Sequence, residues 1–204
     1  MFTGLIQAIG RVERLEATDA GRRLVLDAGG WPHHPEAGAS IAVSGCCLTV
    51  AAPVRGGRLV FDVVGETLAA TTLGAWSVGA RVNLEHAARA DTLLGGHLVQ
   101  GHIDGVGVAS RVTDAGDERR VRIEPPADLV PLIPHKGSIA VDGVSLTVAG
   151  VSDAGAPGWF EVALIPTTLG ATTLGGLREG ARVNLETDIL ARTVAHWLSR
   201  GGSA

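Results

Sequence analysis

The sequence predicts a mostly β chain of two similar domains followed by one amphipathic helix. Three observations carry this prediction. Four segments of the first half return in the same order in the second half, at offsets of 97, 98, 101 and 101 residues. The 204 residues include 29 glycines and no tyrosine, and the glycines are scattered among Val, Leu and Thr as in short strands joined by turns. The C-terminal residues follow a helical period instead.

The repeated segments define a duplication of the whole chain. They are SIAVSGCCLTV at 40–50 and SIAVDGVSLTV at 138–148, GARVNLE at 79–85 and 180–186, LAATTLG at 68–74 and LGATTLG at 169–175, and GLIQAIG at 4–10 and GHIDGVG at 101–107. A period near 100 residues is too long for a solenoid and indicates two similar domains. We expect the first over residues 1–97, the second over 98–186, and a C-terminal helical segment over 187–204.

Each half is predicted to consist of short strands. In the first half these are GLIQAIGRVERL, RRLVLDAG, ASIAVSGCCLTVAA, GRLVFDVVG and ARVNLEHA, which Gly, Pro and Asp separate. The stretch ETLAATTLG has the composition of a helix of about two turns and is expected to be a short helix between strands. Because no helix is long enough for parallel crossovers, the strands favour an antiparallel barrel or sandwich.

The segment TDILARTVAHWLSR at 187–200 is predicted to be the amphipathic helix. Thr187 or Asp188 is a suitable N-cap, and Gly201 is a suitable stop. The apolar stripe consists of Ile189, Leu190, Thr193, Val194, Trp197 and Leu198. Two roles stay open at this point: the stripe covers a face of a barrel, or it packs against copies of itself in an oligomer.

Charge and hydropathy disfavour nucleic acid and membranes as partners. The net charge is −4 and no long basic run is present, which disfavours nucleic acid as a partner. The N-terminus MFTGLIQAIG has no basic region before its apolar residues, and no apolar run has the length of a membrane span. We therefore expect a soluble protein without a membrane partner.

The two cysteines are adjacent, at Cys46 and Cys47. Neighbouring residues of a strand face opposite ways, and the spacing matches neither a CxxC redox pair nor a zinc knuckle. We therefore expect no structural disulfide and a reducing, cytoplasmic location.

Small polar side chains recur at matched positions of the two repeats. Cys47 and Thr49 share one strand face, and so do their counterparts Ser145 and Thr147. One such pair is compatible with simple filling of a barrel interior. Two matched pairs, which differ as thiol against hydroxyl, favour two related ligand sites.

Two histidines, His97 and His102, lie in GGHLVQGHID at the junction of the repeats, and His102 stands where the first repeat has Leu5. Five residues apart, they share neither a strand face nor a helix face, and no carboxylate or thiol completes a ligand set, so we predict no metal. The segments FDVVGET and FEVALIPTT precede the short helices. Their extended backbone offers N–H and C=O groups that can bind the edge of a flat heterocycle.

Assembled in order, these motifs resemble the riboflavin synthase family (alpha type) along nearly the whole chain. The motifs that carry the resemblance are MFTG, GCCLTV, ETLxxTTLG, VNLE, GGHLVQGHID, KGSIAVDGVSLTV and LIP…TTLG. The resemblance implies two similar six-stranded antiparallel Greek-key barrels, each binding one lumazine, plus a C-terminal α-helix that assembles a homotrimer. It also implies that the first barrel of one subunit faces the second barrel of its neighbour.

The resemblance implies a transferase that catalyses the last step of riboflavin biosynthesis. Two molecules of 6,7-dimethyl-8-ribityllumazine exchange a four-carbon unit and give riboflavin and 5-amino-6-(D-ribitylamino)uracil, with no cofactor and no metal. The resemblance also raises an association with lumazine synthase. The alternative is a non-catalytic lumazine- or flavin-binding protein of the same fold family, and the presence of both histidines and both polar pairs favours the enzyme.

The resemblance also assigns residues to the sites. The implied catalytic residues are Ser40, Cys47, His97, His102, Ser145 and Asp188. The implied substrate contacts of the first barrel are Gly4, Leu5, Ile6, Cys47, Leu48, Thr49, Asp62, Val63, Val64, Gly65, Glu66, Thr67, Gly101, His102 and Ile103. Those of the second barrel are Lys136, Ser145, Leu146, Thr147, Ala163, Leu164, Ile165, Pro166, Thr167 and Thr168. Phe2 and Thr3 are implied substrate contacts near the pocket, with no barrel assigned. Gly65, Thr167 and Ala171 depart from the family pattern, which bears on substrate affinity more than on the reaction.

Overall fold

The computed structural model describes residues 1–52, 55–116, 118–153 and 157–201, and it confirms the predicted fold class. The first repeat contains β1 (Ala8–Thr18), β2 (Gly21–Asp27), β3 (Ser40–Val43), β4 (Cys46–Thr49), β5 (Arg58–Val64), α1 (Gly65–Ala70) and β6 (Arg81–His86). The second contains β7 (Gly105–Ala115), β8 (Glu118–Glu124), β9 (Ser138–Val141), β10 (Val144–Val151), β11 (Phe160–Leu164), α2 (Pro166–Ala171) and β12 (Arg182–Thr187). Helix α3 (Ile189–Ser199) follows.

Both repeats arrange their strands in the same antiparallel order. The first sheet runs β4-β3-β6-β1-β2-β5, and the second is a closed barrel in the order β10-β11-β8-β7-β12-β9, which is the same cycle. The first sheet closes through a single bridge between Val50 and Phe61, next to a hydrogen bond of 2.7 Å from Ala51 N to Val60 O. The two repeats are therefore two barrels of one topology.

Each barrel encloses its own apolar core because alternate strand residues point inward. The first core includes Val12, Leu26, Ile41, Leu59, Phe61 and Leu84. The second includes Ile123, Ile139, Val148, Phe160, Val183 and Leu185. The expected short helices are present as α1 and α2, and a threonine hydroxyl, of Thr71 or Thr172, caps the 3₁₀ turn that follows each of them.

The repeated segment VNLE is buried on both faces of its strand. Val82 and Leu84 point into the first barrel, while Asn83 and Glu85 are buried in the contact between the barrels. Polar residues in such a place need hydrogen-bond partners. The identity of GARVNLE in the two repeats therefore reflects the contact between the barrels as well as their cores.

Two asparagines join the barrels through bonds that mirror each other. Asn83 Nδ2 donates to Asp142 O at 2.9 Å, and Asn83 Oδ1 accepts from Thr173 N at 2.8 Å. Asn184 Nδ2 donates to Ser44 O at 2.9 Å, and Asn184 Oδ1 accepts from Thr72 N at 2.7 Å. The barrels are thus related by a local twofold axis.

Glycines make the close approach at this axis possible. Gly45 and Gly143 are counterparts in the two repeats, and both have a left-handed backbone, with φ of 82° and 79°. A Cβ atom on Gly45 would lie 2.7 Å from the backbone nitrogen of Gly143, and one on Gly143 would lie 2.7 Å from that of Gly45. Any side chain at either position would push the barrels apart.

Helix α3 begins with Asp188 as its N-cap, whose side chain accepts a hydrogen bond from Leu190 N at 2.9 Å. None of its residues is buried, and Leu190, Val194, Trp197 and Leu198 are at least half exposed. The role of covering a barrel face is therefore wrong for this stripe, and the oligomer role stays a prediction. Within the described ranges, no helix has the length and apolar content needed to cross a bilayer.

Asp142 should make the stability of the fold depend on pH. Burial raises the pKa of its carboxyl to about 7, above its unfolded value, so folding favours the protonated form. The associated stability is fully present below about pH 4 and is lost as the pH rises to about 7. Asp142→Asn keeps an acceptor for Asn184 N and tolerates the φ of 46°.

We therefore expect Asp142→Asn to match the wild type in free energy of unfolding at pH 4 and to exceed it at pH 8. The full pKa difference corresponds to about 4 kcal/mol, and since the residue is only half-buried, we expect about 2 kcal/mol. Urea unfolding at pH 4, 6 and 8 measures the difference. A difference that does not change with pH would contradict the assignment to this carboxyl.

Candidate functional site

Two chain segments, the N-terminal segment that contains Phe2 and Gly4 and the junction segment that contains Val99 and Gly101, cross from one barrel to the other. We call them the crossing segments, and they pair with each other on the local axis. Phe2 N donates to Val99 O at 2.7 Å, and Val99 N donates to Phe2 O at 3.1 Å. Beyond this pair, the N-terminal segment continues onto the second barrel, where Gly4 O accepts from Ser145 N at 2.8 Å. The junction segment continues onto the first barrel, where Gly101 O accepts from Cys47 N at 2.8 Å.

Each crossing segment contacts one of the two polar residues, Cys47 or Ser145, through a glycine. A Cβ atom on Gly101 would lie 2.6 Å from Cys47 Cβ, and one on Gly4 would lie 2.6 Å from Ser145 Cβ. Both glycines have positive φ, at 82° and 76°. Only glycine therefore lets the segments lie directly against the thiol and the hydroxyl.

Two buried glutamates hold the crossing segments in place. Glu85 accepts bonds from Thr3 N, Thr3 Oγ1 and Gly4 N at 2.7–3.0 Å. Glu186 accepts from the backbone amides of Gln100, Gly101 and His102 at 2.6–3.0 Å. Burial raises the pKa of both carboxyls, and the amide bonds oppose that rise. Neither residue was predicted as a site residue, although each ends the repeated GARVNLE.

The first candidate site lies in a gap that we name the first seam, between Cys46–Thr49 of β4 and Asp62–Val64 of β5. The bridge at Val50 and Phe61 closes the barrel beside it. Because Cys47 N points across the seam to Gly101 O, the strand alternation directs the amide of Thr49 the same way. The seam continues into Gly65, Glu66 and Thr67, which begin α1.

The cysteines face opposite ways, as predicted. Cys46 is buried in the first core, where burial raises the pKa of its thiol to about 12. Cys47 is half-buried on the other face, packed against the cluster that contains Phe2 and Val99. Cys46 is therefore an inert part of the core, and Cys47 is the thiol available at the seam.

The second candidate site repeats this arrangement in the second seam, between Ser145–Thr147 of β10 and Ala163–Leu164 of β11. Pairing of these strands reaches Val148 and Val162 and does not extend further toward Ser145. The β11 edge continues through Ile165 into Pro166, Thr167 and Thr168, which begin α2. Both seams thus combine an extended strand edge with the start of a short helix.

Lys136 lies beside the second seam in a strained conformation. Its backbone N donates to Val148 O at 2.9 Å, and its φ is 66°. The counterpart in the first repeat is Gly38, with a φ of 90°. Lys136 is the only lysine among the 17 basic residues of the chain. Such strain costs about 1–3 kcal/mol, and glycine occupies the same position in the other repeat, so the role of Lys136 in substrate binding stays a prediction that the strain makes worth testing.

His97 bonds to Ser145 in the second site. Its Nδ1 is 2.7 Å from Ser145 Oγ, and its Nε2 is buried without a partner among the described residues. Burial lowers the pKa of His97, and the charge of Asp188 partly opposes this. The imidazole is therefore neutral at neutral pH, which lets Nδ1 exchange a proton with the hydroxyl.

The structure brings most of the predicted site residues into these two groups. Gly101–Ile103 lie with Cys47 at the first seam, and His102 has an exposed side chain there. His97 and Asp188 lie with Ser145 at the second. Ser40 is half-buried opposite Thr49 in the strand pair. The binding and catalytic roles of these residues stay predictions.

One placement differs from the expectation. The resemblance assigned Gly4–Ile6 to the first-barrel site, but Gly4 bonds to Ser145 and Ile6 packs against the second core. The reason is the crossing of the segments, which no local sequence pattern shows. Phe2 and Thr3 are buried beneath the crossing and support it from inside.

Two open clefts lie on the described part of the chain, and one of them, of about 440 Å³, is lined by Gly65 and Leu68 at the start of α1, where the first seam ends. A cleft of about 520 Å³ lies between the barrels beside Asp142 and Arg182, away from both seams. In the described ranges, no three His, Cys, Asp or Glu side chains gather within reach of one metal ion. Val64 and Ile165 are more than half exposed, so both seams are open in a single chain, and the groups they present are a thiol, a hydroxyl, imidazoles and strand-edge amides.

Comparisons with known proteins identify the two repeats as domains of one family. The lumazine binding domain model matches residues 3–87 and 100–188. Riboflavin synthase of Mycobacterium bovis is 44% identical over 202 residues, which cover 99% of this chain and 100% of that protein. Riboflavin synthase of Escherichia coli is 38% identical over 205 residues, which cover 98% of this chain and 92% of that protein.

Solved structures show the same fold with ligands bound. The crystal structure of LumP complexed with riboflavin has a TM-score of 0.78 and 31% sequence identity, and covers 92% of this chain and 99% of that one. LumP complexed with 6,7-dimethyl-8-(1'-D-ribityl) lumazine has a TM-score of 0.77, 28% identity and the same coverage. Two domain matches and relatives of this identity over almost the full length show that the chain belongs to the riboflavin synthase family, a family of enzymes with two lumazine-binding repeats.

Proposed function

We propose that this protein is a riboflavin synthase that converts two molecules of 6,7-dimethyl-8-ribityllumazine to riboflavin and 5-amino-6-(D-ribitylamino)uracil. The observation that carries the proposal is the pair of seams. They have one backbone plan but different chemistry, a thiol at Cys47 and a hydroxyl with a neutral imidazole at Ser145 and His97. A reaction between two copies of one substrate needs two similar sites with different roles.

The geometry of the seams suits a flat heterocycle with a ribityl chain. The amides of Thr49 and Thr147 point into the seams and can bind the polar edge of the ring. Exposed His102 is our candidate for proton transfer from the acidic ring methyl group of the donor lumazine. Cys47, Ser40, Ser145 or water is the nucleophile toward the acceptor ring. Holding the two rings face to face can contribute up to roughly 7–11 kcal/mol.

Formation of the complete site requires a second copy of the chain in this proposal. Both seams are open in a single chain, and the apolar stripe of α3 is exposed. A homotrimer in which the first seam of one subunit faces the second seam of its neighbour would cover both. We place the enzyme in the cytoplasm. Lumazine synthase is the other protein with which we propose that it associates.

A second candidate function is lumazine or flavin binding without turnover. It is favoured by the LumP structures, which are complexes with the lumazine, riboflavin and flavin mononucleotide. The strained lysine and the His97–Ser145 contact fit either function. Only turnover separates the two.

The first test of the proposal is turnover of the lumazine by the purified protein. We expect riboflavin to form from 6,7-dimethyl-8-ribityllumazine alone, followed by absorbance, and we expect His102→Ala and Cys47→Ala to slow the reaction roughly 100-fold. Cys46→Val is the matched control, because the second repeat carries Val144 at that position, and it should keep wild-type turnover. Tight binding of the lumazine without turnover would leave the binder as the function.

A second test separates the strain of Lys136 from its function. Lys136→Gly removes the left-handed strain and should raise the free energy of unfolding by about 1 kcal/mol. The same change should weaken lumazine binding, because it removes a cationic side chain from a residue whose backbone pairs with Val148, next to the second seam. Lys136→Asn tolerates the same φ without the charge and serves as the control for strain. Unchanged turnover in both variants, measured beside urea unfolding, would remove Lys136 from the site.

A third test concerns the oligomer. Val194→Glu with Trp197→Glu places two charges on the exposed stripe of α3 and should dissociate a trimer into 20.8 kDa monomers. Arg200→Gln changes the exposed C-cap residue of the same helix, which is not one of the apolar stripe residues, and should leave the oligomer intact. Light scattering measures the mass, and a trimer that survives the double change would show that another surface assembles it.

A further inference from the structure

The last residues of the two crossing segments have different hydrogen-bond partners. In the first repeat, Gln7 Oε1 accepts from His86 N at 3.1 Å. The counterpart of Gln7 is Asp104, whose Oδ2 accepts from Thr187 N at 2.8 Å and from Thr187 Oγ1 at 2.7 Å. The other oxygen, Oδ1, is paired with Arg192 of helix α3. The second repeat therefore adds a charged partner where the first has only an amide.

Arg192 bonds to both ends of the segment that bears His102. Its Nη1 binds Asp104, and its Nη2 donates to Gln100 Oε1 at 2.8 Å. Glu186 accepts from the amides of Gln100, Gly101 and His102 from the other side. Five consecutive residues, 100–104, are thus held at both ends by one guanidinium and in the middle by one carboxylate.

The ion pair is largely shielded from water. The side chain of Arg192 is 29% exposed and that of Asp104 is 13% exposed, and Arg192 Nε is buried without a partner among the described residues. A surface ion pair would contribute little, whereas a desolvated pair with fixed forked geometry holds its partners firmly. Loss of the guanidinium would leave the Asp104 carboxylate partly buried with one side unpaired.

We propose that Arg192 is a positioning residue for the first seam, which holds segment 100–104 so that Gly101 and His102 lie against Cys47. The proposal rests on the proposed function, since it assigns Arg192 to the site of that reaction. Arg192 touches neither seam itself and acts through Asp104 and Gln100. Among the described residues the second seam has no such link, because its crossing segment ends with Gln7 bonded to His86 N.

Removal of the Arg192 guanidinium should impair ligand binding at only one of the two seams. In Arg192→Gln, we expect riboflavin to bind at the second seam with wild-type affinity and at the first seam with reduced affinity. Turnover should fall roughly 10- to 100-fold through kcat, because a small displacement of His102 is costly to the reaction. Arg192→Lys keeps the charge toward Asp104 but not the fork that also reaches Gln100, so it should recover part of the turnover.

The experiment uses the full-length protein in three variants, Arg192→Gln, Arg192→Lys and the control Arg200→Gln at the C-cap of the same helix. Fluorescence titration with riboflavin counts sites and affinities, lumazine turnover gives kcat and KM, and light scattering with thermal unfolding checks the assembly. Two equally weakened sites, or a Tm loss that accounts for the turnover loss, would show a merely structural role. Arg192→Gln with wild-type binding and kcat would overturn the proposal.

Failure of the proposed function gives a different result. If the wild-type protein binds riboflavin at two sites but turns over no lumazine, the enzyme proposal fails, and the selective loss of one binding site in Arg192→Gln still tests the inference. If the wild type binds neither ligand, both proposals are wrong.

Discussion

The arrangement of both sites depends on two buried carboxylates. Glu85 and Glu186 each accept three hydrogen bonds from a crossing segment, and without them the amides of these segments would lie in the contact between barrels with no partner. The glycines then bring the segments into contact with Cys47 and Ser145. Each repeat therefore needs a carboxylate at the end of VNLE. The asparagine two residues earlier joins the barrels in the relative position that brings this carboxylate to its crossing segment.

The sequence predicted the parts of this fold that depend on local pattern. Strand periodicity, the short helices and the amphipathic C-terminal segment were visible because each depends on residues close in sequence. The opposite faces of Cys46 and Cys47 followed from the same rule. The placement of Gly4–Ile6 on the second barrel was missed, since it depends on contacts more than 140 residues apart, such as that of Gly4 with Ser145. Glu85 and Glu186 were missed as site residues because their contacts are also long-range, 81–86 residues apart in the sequence.

For some site residues the structure shows contacts that the sequence did not predict, and for others it shows few. Asp188 was a catalytic candidate by resemblance, and the structure shows that it also caps α3 and lies near His97. A change at Asp188 would therefore act on the helix and on the imidazole together. His97 gains a definite partner in Ser145, whereas His102 is defined by its backbone, which Glu186 holds, rather than by a side-chain contact.

The crossing at Phe2 and Val99 couples the evolution of the two repeats. Because each barrel borrows the segment that covers its polar residue from the other repeat, neither site is encoded within one repeat. A substitution at Leu5 acts beside Ser145, and one at His102 acts beside Cys47. The two halves must therefore accumulate changes in concert, and exchanging one repeat with that of a relative would disturb both sites at once.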